Sequence, residues 1–314
     1  MIRIAEEVQT EEDAYRLLEE WRWHGQPVCS HCGSINDHYF LKPRNGVRKT
    51  NRGTPTQRRL WKCKDCRKPF SVLTGTVMHG THIPIRTWVF VVYELCSNKN
   101  GIAAREIERR YDLTPKSVWF MLHRIREAMA HGPGVELFSG VVVADETWIG
   151  AKPANRHGHE RGKGGQGVTD KTPVVSLVHV ETGEIRSKVV ADVSGRSLRS
   201  VIASQAQMDA TTLHTDSSGA YGTFADEPAG HASVNHSEGE YLRDGVSTNK
   251  AENYFSQLKR SIDGTHHHVS REHLGLYLAE FDFRHSTHYL TDTARVDHLM
   301  GRFVGRRLMY SDSR

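Results

Sequence analysis

Two Cys-x₂-Cys pairs, Cys29–Cys32 and Cys63–Cys66, most narrowly constrain what this chain can fold into, and thirty residues separate them. Two such knuckles gather four thiolates around one tetrahedral Zn²⁺ and leave no coordination position open for catalysis, so the spacing predicts a structural zinc ribbon. A redox pair or two disulfides are the alternatives, disfavoured by an intracellular context and by the paired spacing of four of the five cysteines. His31, between the first two thiols, is expected to be a bystander. From Lys42 to Lys68, eleven Lys or Arg accompany one acid, Asp65, which makes a local basic field suited to phosphates. A solvated loop is the other reading for part of that charge. The insert Lys42–Arg59 is expected at the hairpin tip, and Tyr39, Phe40, Trp61 and Phe70 are expected to supply a small core.

At 314 residues the chain is long for one domain. Its 37% apolar and 25% charged residues are ordinary for a folded protein with real cores. The expected divisions are 1–83 (N-terminal helix and ribbon), 84–134 (a helix-turn-helix-like DNA-binding segment), 135–290 (a catalytic domain) and 291–314 (a tail). The longest apolar run, Trp88–Tyr93, is far too short to cross a bilayer, and the acidic stretch Met1–Glu20 has no signal-like core. The expectation is therefore a cytoplasmic, nucleoid-associated protein with no membrane partner.

Thr10 followed by Asp13 forms a capping box opening a helix to Trp23. Helices are predicted at Ile85–Cys96, Ile102–Tyr111 and Pro115–Ala130, the last opened by Thr114-Pro115. Lys116, Ser117, Arg124 and Arg126 are assigned to its outward face, so the trio fits a helix-turn-helix or a plain packing unit. His131-Gly132-Pro133-Gly134 is read as a linker. Ala151–Lys171 is read as a loop able to order on DNA, carrying seven basic side chains (two of them His), two acids and five glycines.

The apolar run Val141–Ala144 ending at Asp145 reads as a buried strand reaching a polar site. Thr211–Thr215 ending at Asp216 reads as a second. Asn249–Lys259 reads as a helix with Asn249, Glu252, Ser256 and Lys259 on one face, and Ala251, Tyr254, Phe255, Leu258 and Ile262 buried. Two strand-end aspartates and a helix glutamate make a carboxylate cluster that suits hard divalent cations and would repel itself without them. Glu146 should face away from Asp145, while Glu238, Glu240 and Asp244 compete with Glu252 for the third place. Three antiparallel strands, a helix (Ser197–Gln207), a strand, a second strand (Ala232–Asn235) and the Glu252 helix follow the order of an RNase H-like mixed sheet, giving an α+β, multi-domain chain.

The ordered set Asp145, Asp216, Glu252, with thirty-five residues between the last two and six between Glu252 and Lys259, resembles the Asp-Asp-Glu-(Lys) pattern of bacterial insertion-sequence transposases. So do the wordings Val143-Ala-Asp-Glu-Thr-Trp-Ile-Gly150, Val234–Ser237, Thr248–Glu252, Gly264–Val269 and Val118–Arg126, which resemble the branch of that family with an N-terminal zinc ribbon. Phe283-Arg284-His285-Ser286 departs from that branch's Phe-Arg-Tyr-Asn. The resemblance implies two Mg²⁺ (or Mn²⁺) ions held by Asp145, Asp216 and Glu252, besides the Zn²⁺ on Cys29, Cys32, Cys63 and Cys66. It further implies hydrolysis at transposon ends to free a 3′-hydroxyl, transfer of that end into target DNA, double-stranded DNA as partner and a homodimer or larger assembly on DNA. Lys259 would neutralise or position a phosphate, and Asn249 and His236 would orient carboxylates or touch DNA. A transcription regulator or domesticated transposase with an inert catalytic domain is the alternative.

Overall fold

The structure is a computed structural model and describes residues 2–43, 46, 48, 49, 53, 55–132, 134–150, 171–225 and 229–310. Most of the glycine-rich loop and Pro133 of the linker lie outside the described residues. The chain divides into two compact units, Met1–Asn98 with Ile102–Met129 and Leu290–Arg314, and Lys99–Gly101 with Ala130–Tyr289.

In the first unit, α1 (Ile2–Glu7) precedes α2 (Glu11–Trp23), whose capping box forms as predicted, the Thr10 and Asp13 side chains each accepting the other's backbone N–H. The ribbon contains β1 (His38–Phe40), β2 (Arg48–Lys49), β3 (Pro55–Thr56), β4 (Trp61–Cys63) and β5 (Pro69–Phe70). Antiparallel pairing runs β1-β4-β5, with β2 and β3 paired as a separate hairpin inside the basic insert. Phe70 is buried, and Trp23 of α2 packs edge-on against Trp61 and Phe70. Tyr39 is no core residue: strand alternation between His38 and Phe40 turns it out, 45% exposed. The ribbon's missing apolar area comes instead from α2, where Glu19 also accepts from Trp61 Nε1 and pairs with Arg59.

Three helices follow, α3 (Ile85–Ser97), α4 (Ala104–Tyr111) and α5 (Pro115–Met129). Pro84 cannot cap α3 with its side chain. Glu11 of α2 does so from a distance, its two carboxylate oxygens accepting the N–H groups of Ile85 and Arg86 at 2.6 and 2.9 Å. The turn before α5 passes through Asp112 in the left-handed region, and Thr114 Oγ1 accepts the Ser117 N–H. The outward face assigned to α5 is corrected: Arg124 and Arg126 are buried. Arg124 donates to the His79 carbonyl and lies over the rings of Trp88 and Phe120, because its stem continues the apolar stripe. Of the four predicted polar positions, only Lys116 and Ser117, in the first turn, escape burial.

The second unit is built on a five-stranded sheet of β6 (Phe138–Ile149), β7 (Thr172–His179), β8 (Ile185–Val189), β9 (Ala206–Asp216) and β10 (His231–Val234), in the order β10-β9-β6-β7-β8. The meander β6-β7-β8 is antiparallel, while β9 pairs parallel with both β6 and β10. This mixed order is the RNase H-like arrangement expected from the sequence. Its helices are α6 (Gly195–Ala203), α7 (Asn249–Ser261) and α8 (Arg271–Ser286). The helix α6 is shorter than predicted and β9 longer, because Ala206 pairs with Phe138 and the ladder claims residues that pattern alone left helical. Side chains of β6 alternate between two cores: Val143 and Ile149 pack with α7 and α8, Val142 and Ala144 with α6 and the turn around Tyr221. The chain then returns to the first unit through α9 (Asp292–Gly301), where Arg302 and Arg306 donate to the carbonyls of Met129 and Glu127.

Candidate metal centre and carboxylate site

The four predicted thiols converge. Among the described residues, Cys29, Cys32, Cys63 and Cys66 are the one set of three or more potential metal ligands whose ligand atoms all lie within 4.8 Å of one another. Cys29–Cys66 and Cys32–Cys63 sulfur separations are both 3.7 Å, against about 3.8 Å for the edge of a tetrahedron with 2.3 Å Zn–S bonds. Burial opposes ionisation of Cys63, yet the backbone N–H groups of Cys66 and Asp65 and the neighbouring thiols bring it down to about 7. The donor set thus fits Zn²⁺ in kind and in geometry. His31 contacts the Pro69 carbonyl and stands outside the set.

In the second unit, β6 carries Asp145 two residues past its last pair with β9, Val143–His214, and Asp216 ends β9 opposite Val234 of β10. Glu252 sits in the first turn of α7, where the helix dipole favours an anion. Burial raises the Asp145 carboxyl to about 7, opposed by the Glu146 N–H and reinforced by the charges of Glu146, Asp216 and Glu252. The three predicted acids are therefore electrostatic neighbours, though they stand further apart than the thiols. Carboxylate oxygens are the hard donors that Mg²⁺ and Mn²⁺ prefer.

Glu146 has the opposite parity, on the face of Val142 and Ala144, and accepts the Tyr221 hydroxyl at 2.6 Å. Its carboxyl is raised by burial, against that bond. Glu240 is occupied elsewhere, accepting the Asn235 N–H and pairing with Arg243.

His236 Nε2 lies 2.7 Å from Thr248 Oγ1 and 3.5 Å from Glu252 Oε1. Thr248, fully buried, was missed from the sequence: it links that histidine to the acid, and a threonine before a helix reads only as a cap. Lys259 is exposed on the Glu252 side of α7; partial desolvation and Lys171 hold its ammonium below the usual range, and Asp145 pulls the other way. Asn249 is exposed at the helix start, its N–H bonded to Ser247 Oγ.

Beneath Asp145 runs a second unforeseen feature. Ser176, its partner on β7, lies 2.7 Å from Ser187 Oγ; Ser187 and Tyr254 of α7 both donate to Asp282 of α8. This buried network ties α7 and α8 to the strand beside Asp145, and burial raises Asp282 to about 7.

Comparison with known proteins agrees with this layout. Residues 137–286 match the ISXO2-like transposase domain, and residues 9–69 match the transposase zinc-ribbon domain. A relative from Halobacterium salinarum (strain ATCC 700922 / JCM 11081 / NRC-1), described as an uncharacterized protein in transposable element ISH50, is 29% identical over 285 residues, 88% of this chain and 90% of its own. One chain of the simian T-cell lymphotropic virus intasome in complex with PP2A regulatory subunit B56 gamma is 12% identical and covers 61% of this chain and 65% of its own. Its TM-score of 0.29 is too low to bear on the fold. Residues 9–69 and 137–286 are thus similar to two domains of insertion-sequence transposases, the zinc ribbon and the ISXO2-like domain, in that order along the chain.

Proposed function

We propose that this chain is a transposase that binds the ends of its element, hydrolyses a phosphodiester there to free a 3′-hydroxyl, and transfers that end into target DNA. The observation that carries this reading is the placing of Asp145 and Asp216 on two parallel-paired strands and of Glu252 in the first turn of α7, near enough that the charges of Asp216 and Glu252 add to the burial that raises Asp145. Divalent ions held by these three carboxylates would activate the attacking oxygen and stabilise the departing one. Glu252 is oriented through Thr248 by His236, as a ligand's hydrogen-bond partner fixes its rotamer. Lys259 offers a cation beside the acids for a phosphate, and Asn249 a polar contact at the same helix start. The basic ribbon insert and the first turn of α5 supply contacts to the DNA backbone. Joining two ends requires two active sites, so a homodimer or larger assembly forms on DNA. Among the described residues no helix is long and apolar enough to cross a membrane.

The test is cleavage and joining of duplexes carrying the element's ends, with Mg²⁺ or Mn²⁺, by wild type and Glu252→Gln. Loss of both steps with end binding retained supports the assignment. Equal activity in the variant removes Glu252 from the site. Cutting without joining by the wild type reduces the reading to a nuclease.

A further inference from the structure

Between β10 and α7 the chain makes a loop braced from within. Glu240 accepts the Asn235 N–H at 3.0 Å, its own N–H donates to the Asn235 carbonyl, and its carboxylate meets Arg243 at 3.3 Å. Arg243 also donates to the Ser233 carbonyl. Arg243 and Val246 exchange both backbone hydrogen bonds across Asp244-Gly245, whose φ values of 50° and 84° are those of a tight two-residue hairpin turn. A loop so tied holds its side chains where the backbone puts them.

It puts two apolar ones into solvent. Tyr241 is 56% exposed and Leu242 66%, the one consecutive pair of exposed large apolar side chains among the described residues. The Tyr241 ring packs edge-on against His236, centroids 5.3 Å apart, and His236 is 3.5 Å from Glu252. The pair thus stands one ring away from the carboxylate site. Two side chains are far too small a patch for a stable protein interface, which buries roughly 800 Å² per partner. A partner docked there would also crowd the strand that must reach the acids. An aromatic ring with an aliphatic neighbour is the size and chemistry that stacks on a nucleobase or wedges into a base step.

We propose that Tyr241 and Leu242 form a wedge that receives an unpaired nucleobase of the DNA strand held at the Asp145–Asp216–Glu252 site. The inference rests on the transposase reading and deepens it. By opening the pair next to the scissile bond, the wedge frees the backbone to bend its phosphate toward the acids.

The test is single-turnover cleavage of end duplexes, either fully paired or mismatched beside the cleaved bond, by wild type, the Tyr241→Ala/Leu242→Ala double variant and Tyr241→Trp. A second readout is the fluorescence of 2-aminopurine placed at that position, followed on binding without divalent ions. Both positions are exposed, so thermal midpoints should match. The expected result is a roughly tenfold or greater loss by the double variant on paired DNA, rescue by the mismatch, wild-type behaviour of Tyr241→Trp, and a fluorescence rise that the double variant lacks. Equal rates on paired DNA, or equal losses on paired and mismatched DNA, overturn the wedge. So does a change confined to oligomeric state, which would make the pair a subunit contact. A wild type that cuts nothing defeats the transposase reading, and the fluorescence still decides the wedge.

Discussion

The thiol centre and the carboxylate cluster proposed as the catalytic site differ in what happens without metal. The ribbon has short strands, one fully buried aromatic of its own in Phe70, and borrowed support from Trp23 and Glu19 of α2. Its fold depends on the ion that its thiols converge on. The carboxylate site is laid across a sheet with a hydrophobic cluster on each face, and there burial first, with the neighbouring acids adding to it, works against the charge of a half-buried Asp145. The thiol centre holds its domain together; the carboxylate cluster strains the one that carries it, a cost that active sites commonly bring.

The sharpest way to break this contrast is to remove the metal. Zinc chelation, or Cys63→Ser, should unfold the ribbon, since structural zinc supplies about 10 kcal/mol or more of folding free energy in small domains. Limited proteolysis should then cut within residues 24–83 and spare the sheet. An intact ribbon after chelation would end the comparison.

Next in size is Asp145→Asn. Cleavage should fall by about 10³-fold or more, on the scale of losing a preorganised charge contact. The metal-free variant should nonetheless melt a few degrees above wild type, roughly 2–4 °C for each kcal/mol of relieved repulsion. A lower melting temperature in calorimetry would mean that the acids are not a strained cluster.

His236→Ala should slow cleavage by roughly 10- to 100-fold with end binding unchanged, the usual cost of losing a ligand's orienting partner. Titrating Mn²⁺ should recover part of the rate if Glu252 is merely disoriented. An unchanged rate would show that Thr248 suffices.

The smallest effect is on pH. Asp282 has its folded-state pKa raised by burial to about 7, so the fold prefers the neutral acid. Stability from this source is full below about pH 4, where the unfolded chain also protonates, and is lost as pH rises through 7. Denaturant midpoints at pH 5 and pH 8 should show the decline, and Asp282→Asn should flatten it.

What could be read ahead of the structure was local or periodic. The four thiols, the Thr10–Asp13 box and the buried stripe of α7 depend on spacing within a few residues, and all three form. The alternation that sends Asp145 and Glu146 to different cores is likewise a property of any strand. What could not be read needed partners distant in sequence. Arg124 looks solvated until Trp88 and Phe120 come beneath it; Thr248 looks like a cap until His236 arrives. Residues 206–210 extend β9 only because the start of β6 is there to receive Ala206. The Tyr241-Leu242 pair reads as part of an ordinary turn region, and only its exposure beside the acids sets it apart.

Glu11 deserves a last consequence. By capping α3 across 74 positions of sequence it closes a long excursion of chain at both ends, and the whole ribbon hangs between those two posts. The entropic cost of such a closed loop grows slowly, about 0.6 kcal/mol for each doubling of its length. A ribbon with a longer or shorter tip could thus be exchanged like a cartridge while the helices that receive it stay the same.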